Sequence, residues 1–347
     1  MSDTQYLLDV RGLTTVFAGA HGGRQDVVRA VDDVSLHVGR GETLGLVGES
    51  GCGKSATALS IIRLVQPPGR IDAGSVLFEG QDLTKIDEEA MRRVRGARIG
   101  FVFQEPMTAL NPVFTVGDQI AEALTVHGLA SRAEARRLAI GMLEAVRIPN
   151  PAARARDYPH QLSGGMRQRA LIAAAIACRP SLLIADEPTT ALDVTIQAEV
   201  LDLLRDMRDR FGLSLLLITH DLGVVSRLAD RVAVMYAGRI VEEGPARDVL
   251  SAPAHPYTRG LLMSLPGVAP GTRLKAIPGT VPDLASLPAG CAFAPRCGDR
   301  RTDCGDRMPD LVSCGEGRRA RCVLYTASET VGMGSPGTSP ASTKAGS

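Results

Sequence analysis

Two stretches of the chain carry the residue types that seat phosphate. The first, GESGCGKS (Gly48–Ser55), lies between an apolar run, TLGLVG, and a helical pattern, KSATALSIIRLV. Glycines in such a turn let backbone N–H groups close around a polyanion. Lys54 can then reach the β- and γ-phosphates, and the Ser55 hydroxyl can ligate Mg²⁺. The candidate nucleotide contacts are Gly48, Glu49, Ser50, Gly51, Cys52, Gly53, Lys54, Ser55 and Ala56. The second stretch, LSGGMRQR (Leu162–Arg169), opens an alanine-rich helix with Ser163, Gly164 and Gly165. A helix N-terminus with bare amides and a hydroxyl is again suited to an anion. A third stretch, SLLIADEPTTALD, ends an apolar strand in two acids. Asp186 is placed to hold Mg²⁺ through water, and Glu187 to polarise an attacking water as general base.

Five of the seven cysteines fall between Cys291 and Cys322. Cys291, Cys297, Cys304 and Cys322 are separated by gaps of five, six and seventeen residues, with no C-x-x-C knuckle of the usual zinc kind. The spacing admits an iron–sulfur cluster, a zinc ion or reduced structural thiols. Cys314 fits none of these patterns. Arg296, Arg300, Arg301, Arg318, Arg319 and Arg321 surround the cysteines, either to offset a negative cluster or as a solvated face. Cys52 needs no role of its own, and Cys178 reads as helix packing.

The elements that must position these groups follow from periodicity. Early runs (YLLDVRGLTTVF, VDDVSLHV) alternate as strands on either side of a loop tip at HGGRQD. Helical patterns fill Val116 to Cys178. VTIQAEVLDLLRDMRDRF puts Val200, Leu203, Leu204, Met207 and Phe211 on one face, and RVAVMYAGRIVEEG reads as a hairpin turning at Ala237–Gly238. Strands alternating with helices predict an α/β fold with a largely parallel sheet, and the early strands form an antiparallel addition.

The chain has 347 residues, 44% hydrophobic and 22% charged, with a formal charge of +1. That composition suits a globular protein and gives no electrostatic footprint for nucleic acid. The N-terminus has no signal pattern and no apolar run approaches the ~20 residues of a spanning helix. A cytoplasmic location follows, where disulfides are disfavoured. The last stretch, 326–347, is rich in Ser, Thr, Gly and Pro and reads as disordered.

Taken together, the motifs resemble the nucleotide-binding subunit of ATP-binding cassette (ABC) transporters over Leu7 to about Gly244. GESGCGKS is similar to the Walker A loop, LLIADE to the Walker B strand, and LSGGMRQR to the signature sequence. The resemblance implies further roles. Gln104 in FVFQEP would be the Q-loop residue, touching Mg²⁺ and facing the membrane subunit. Asp193 would be the D-loop residue and His220 in ITHD the switch histidine at the γ-phosphate. Phe17 is the positional match for an aromatic that stacks on adenine, or equally a core residue. Ser163 and Gly165 would hold the γ-phosphate of ATP bound to the facing subunit, so that two ATP molecules join two subunits head to tail. Expected catalytic residues are Glu187, His220, Lys54 and Gln104; Mg²⁺ would lie at Ser55, Gln104 and Asp186.

EPMTALNPVFTVGDQI, YPHQLSGGMRQR and HPYTRGLL narrow the resemblance to dipeptide/oligopeptide importers and their nickel-importing relatives. That branch implies a [4Fe–4S] cluster at Cys291, Cys297, Cys304 and Cys322. Its implied partners are a second, paralogous ATPase, two permease subunits and an external binding protein, at the cytoplasmic face of a bacterial membrane. The expected organisation is a P-loop ABC ATPase domain at 1–245, with an antiparallel β-subdomain and a helical subdomain at about 106–180. A Cys-rich extension at 246–325 and the tail at 326–347 follow it. A soluble ABC-type ATPase acting on nucleic acid or ribosomes, and a P-loop kinase, are the rival readings.

Overall fold

The computed structural model describes residues 6–21, 24–190, 192–264 and 276–325; the expected disordered tail lies outside them. The strands are β1 (Leu8–His21), β2 (Arg24–Val38), β3 (Thr43–Val47), β4 (Gly69–Phe78), β5 (Gln81–Asp82) and β6 (Ile99–Val102). They continue with β7 (Leu182–Asp186), β8 (Ser214–Thr219), β9 (Arg231–Tyr236), β10 (Arg239–Pro245), β11 (Val312–Gly315) and β12 (Arg318–Ala320).

They form two sheets. One has the order β2-β1-β4-β5 and is antiparallel throughout, as the early strands predict. Its β1–β2 hairpin is longer than the sequence suggests: pairing runs out to His21 opposite Arg24, so strand occupies most of the expected loop HGGRQD. The other sheet has the order β11-β12-β10-β9-β3-β8-β7-β6. Its middle, from β9 to β6, is parallel. β3, β7 and β8 are buried along their whole length, which is why they read as continuous apolar runs without alternation. β9 and β10 turn at Ala237 (φ 46) and Gly238 (φ 83), both left-handed, as a two-residue hairpin with strand-matched twist requires.

Helices cover the parallel sheet. Lys54–Ile61 is the next element after β3; Val194–Phe211 buries Val200, Leu203, Leu204 and Met207 of the predicted stripe and leaves its fifth member, Phe211, half-buried. Val116–Val126 and Arg132–Ala145, capped by the side chains of Thr115 and Ser131, pack with Gly164–Ile176 into one core with the sheet. These helices come from the stretch in which an inserted helical part was expected. No helix among the described residues is long and apolar enough to cross a membrane.

The segment after residue 245 shares its packing with the parallel sheet. β12 pairs with β10, and β11 pairs with β12, so two strands of this segment extend the main sheet. Tyr257 and Phe293 pack on Tyr236 of β9, with ring centroids 4.6 and 5.3 Å away. His255 caps the helix Pro256–Met263 by accepting from the Tyr257 amide at 3.0 Å, and burial lowers its pKa to about 3. A neutral imidazole is what an acceptor in that position must be. The His255 and Ala254 amides in turn donate to the buried Glu242 carboxylate of β10, at 2.8 and 2.7 Å.

Candidate functional site

The turn between β3 and the helix Lys54–Ile61 is shaped by crowding. A methyl group on Gly48 would sit 2.2 Å from the Met235 carbonyl oxygen, and one on Gly53, at φ 107, 2.2 Å from that of Ala30. No L side chain fits either place, so these glycines are dictated by neighbouring backbone. Lys54 is only 4% exposed. Its ammonium lies inside the curve and donates to the carbonyls of Gly48 and Glu49, at 2.7 and 2.9 Å. Cys52 is buried, its sulfur 3.9 Å from the Lys54 ammonium, and burial pushes its thiol pKa up. Ser50 and Gly51 are exposed at the tip, and Ser55 and Ala56 are half-buried in the first turn of the helix.

The acids predicted at the end of the apolar strand stand beside this loop. Burial is the main cause of a raised Asp186 pKa, opposed by a hydrogen bond from Ser55. Its Oδ1 is buried without a hydrogen-bond partner. A desolvated carboxylate oxygen next to a serine hydroxyl is what a divalent cation would satisfy, so Ser55 and Asp186 fit Mg²⁺.

Glu187 is the hub of the rest. It sits just past β7 in a left-handed conformation (φ 46), with its amide donating to Ile218 of β8 at 2.9 Å. A non-glycine residue held there is a strained position of the sort found at functional sites. Its carboxylate accepts from Gln104 Nε2 at 3.1 Å and from Thr190 Oγ1 at 2.8 Å, and His220 Nδ1 lies 3.3 Å from Oε1. Gln104 and His220 follow β6 and β8, the outermost and third-from-last strands of the sheet order. Three residues far apart in sequence therefore meet because three parallel strands end on the same side. Thr190 was not among the predicted site residues; a threonine next to an acid in sequence carries no distinguishing signal.

Ser163 caps the helix Gly164–Ile176, its hydroxyl accepting from the Met166 amide at 3.3 Å. Gly165 is packed on Ile196, where a methyl group would come within 2.8 Å, whereas beside Gly164 nothing lies within 4 Å. Asp193 caps the helix Val194–Phe211 through the Ile196 amide at 2.9 Å. Phe17 is half-buried on β1 with its ring edge against Gly69 of β4.

The four spaced cysteines are brought together: Cys291, Cys297, Cys304 and Cys322 line one small cavity with His255, Phe293 and Pro309. Cys314 is on β11, outside it. All seven cysteines are free thiols. Burial raises the pKa of Cys291 and Cys297, and that of Cys322 to about 11. Among the described residues no group of three or more His, Cys, Asp or Glu is arranged to hold a metal ion.

Comparison with known proteins gives consistent matches. Residues 31–190 match the ABC transporter family, and residues 241–304 the C-terminal region of oligopeptide/dipeptide transporters. A Brucella ovis protein named for peptide import is 54% identical over 92% of this chain and 98% of its own length. The oligopeptide transport ATP-binding protein AppD of Bacillus subtilis is 50% identical, over 92% and 97%. The dipeptide transport ATP-binding protein DppD of the same organism is 48% identical, over 92% and 94%. Among solved structures, a dimeric ATP-binding cassette in a post-hydrolysis state with ADP and phosphate has a TM-score of 0.61. It is 28% identical and covers 69% of this chain and 99% of its own.

Proposed function

Because the chain belongs to the ATP-hydrolysing subunits of ABC transporters, we propose that it drives peptide import by hydrolysing ATP clasped between two such subunits. The observation that carries this reading is the convergence on Glu187: Gln104, Thr190 and His220 meet its carboxylate beside the unpartnered Asp186 oxygen.

In this mechanism Lys54 and the loop amides orient the triphosphate. Ser55 and Asp186 would hold Mg²⁺, with Gln104 as the further proposed ligand, and the ion would supply charge neutralisation on the phosphates. Glu187 accepts a proton from the attacking water, held in line by Gln104 and Thr190. His220, with a half-exposed side chain beside the other Glu187 oxygen, would contact the γ-phosphate. Positioning and electrostatics do most of the work in such a transfer. Ser163 and Gly164, at an open helix N-terminus, serve the nucleotide of the facing subunit, as do Gly165 and Asp193. Phe17 is the candidate for adenine stacking.

Peptide is the favoured cargo because the relatives named above carry peptide transport in their names; nickel or another small solute is the second choice. Permease subunits, an external binding protein and a paralogous ATPase are the proposed partners, at the cytoplasmic face of a bacterial membrane. The Cys-rich extension is proposed to hold a [4Fe–4S] cluster on Cys291, Cys297, Cys304 and Cys322. A zinc ion draws its thiolates to about 2.3 Å from one centre, whereas a cluster takes one thiolate per iron around a larger body. The support for this reading is that the four cysteines line one cavity.

Glu187→Gln keeps the shape and removes the base. Phosphate release should fall by roughly 10²–10⁴-fold while ATP stays bound. Turnover within a few-fold of the parent would remove Glu187 from the chemistry and the reading with it.

A further inference from the structure

Glu49 is the one acidic residue in the phosphate loop GESGCGKS. Each of its polar groups is engaged. Its carbonyl oxygen takes the Lys54 ammonium at 2.9 Å. Its amide donates to the Tyr257 hydroxyl at 2.8 Å, and its carboxylate accepts from both Arg296 terminal nitrogens, at 2.7 and 2.9 Å. Tyr257 and Arg296 lie 208 and 247 residues away, in the segment carrying the cysteines.

Arg296 is itself fixed. Its side chain is 6% exposed, its Nε donates to the Pro278 carbonyl at 2.9 Å, and its guanidinium lies over the Tyr236 and Phe293 rings at 5.9 and 6.0 Å. A two-pronged guanidinium–carboxylate pair fixes angle as well as distance. A carboxylate in a loop built for triphosphate would repel it, and the low-dielectric wall behind Arg296 strengthens whichever charge is left over.

We propose that Tyr257 and Arg296 are positioning residues for ATP. From the C-terminal segment they hold the Glu49 peptide that orients Lys54, and Arg296 cancels the one negative charge in the loop. Arg296 is next to Cys297, so the ordering of the thiol cavity and the shape of the phosphate loop are mechanically joined. The inference rests on the ATPase reading and adds to it a control of nucleotide affinity from the extension.

The test uses the full chain and a trinitrophenyl-labelled ATP as the binding probe. Arg296→Gln should weaken binding by about tenfold, with the loss falling on KM more than on kcat. Glu49→Gln in the same chain should recover most of it, because the repelling charge is gone. A purely structural role would give no such recovery. Tyr257→Phe should cost about threefold, the loss of one hydrogen bond. If Arg296→Gln fails to fold by thermal melting, Arg296→Lys is read in its place. It keeps the charge, loses the fork and should weaken binding about threefold. Unchanged binding in the arginine variant, or a double variant no better than Arg296→Gln, overturns the proposal. Lys54→Ala separates the two levels. If it abolishes binding while Arg296→Gln does not alter it, only the clamp fails; if both bind normally, the ATPase reading fails as well.

Discussion

The phosphate loop and the LSGG turn have the same ingredients, glycines and a serine at a helix start, but the chain treats them in opposite ways. At Gly48 and Gly53, neighbouring backbone leaves no room for a methyl group; beside Gly164 there is open space. The loop is pinned by Lys54 from within and by Tyr257 and Arg296 from behind. The turn is held by its own Ser163 cap, by the contact of Gly165 with Ile196 and by Arg167 on the Pro159 carbonyl, and leaves Gly164 exposed. Thus one turn is enclosed by its own chain, and the other presents an open edge at Gly164. Composition alone cannot separate an enclosed turn from an open one; the surroundings do.

Substitution at matched glycines sharpens that contrast. Gly53→Ala should show the larger effect. Its methyl would press on the Ala30 carbonyl in a left-handed backbone, costing about 2–4 kcal/mol in denaturant unfolding, and ATP binding by the isolated chain should be lost. A Gly53→Ala chain as stable as its parent would remove crowding as the explanation. Gly164→Ala should leave stability within about 0.5 kcal/mol and leave ATP binding to the isolated chain unaltered. Hydrolysis by the assembled transporter should nonetheless drop on the order of 10- to 100-fold, because the methyl would occupy the approach proposed for the facing subunit's nucleotide. Equal turnover in the assembly would mean that the open edge meets nothing.

The smallest expected effect concerns the segment behind the loop. Cys314→Ser should leave iron and sulfide per chain unchanged, since Cys314 lies outside the shared cavity. Cys297→Ser should lower both. Iron retained in Cys297→Ser, or a colourless protein holding only zinc, would reject the cluster.

Much of the candidate site was legible beforehand because its motifs are local. A glycine-rich turn, a strand ending in two acids and a serine opening a helix each do their work within a few residues. The hairpin at Ala237–Gly238 was legible for the same reason, since two small residues tolerate left-handed backbone. Thr190 was not legible, because a hydroxyl becomes a partner of Glu187 only through the bend that follows β7. The union of the C-terminal segment with the main sheet was hidden too. β12 is three residues long and charged, which no periodicity singles out.

The sequence by itself determined the chemistry available: a lysine among glycines, paired acids, and thiols at uneven gaps. Only the tertiary structure decided which of these act together. It set Gln104, Glu187 and His220 around one point by ending parallel strands on one side, and it placed Arg296 on Glu49 across 247 residues. The physical reason is range. Backbone turns and caps are fixed by neighbours in sequence, whereas a buried ion pair or a shared cavity exists only after sheet and helices have packed around it.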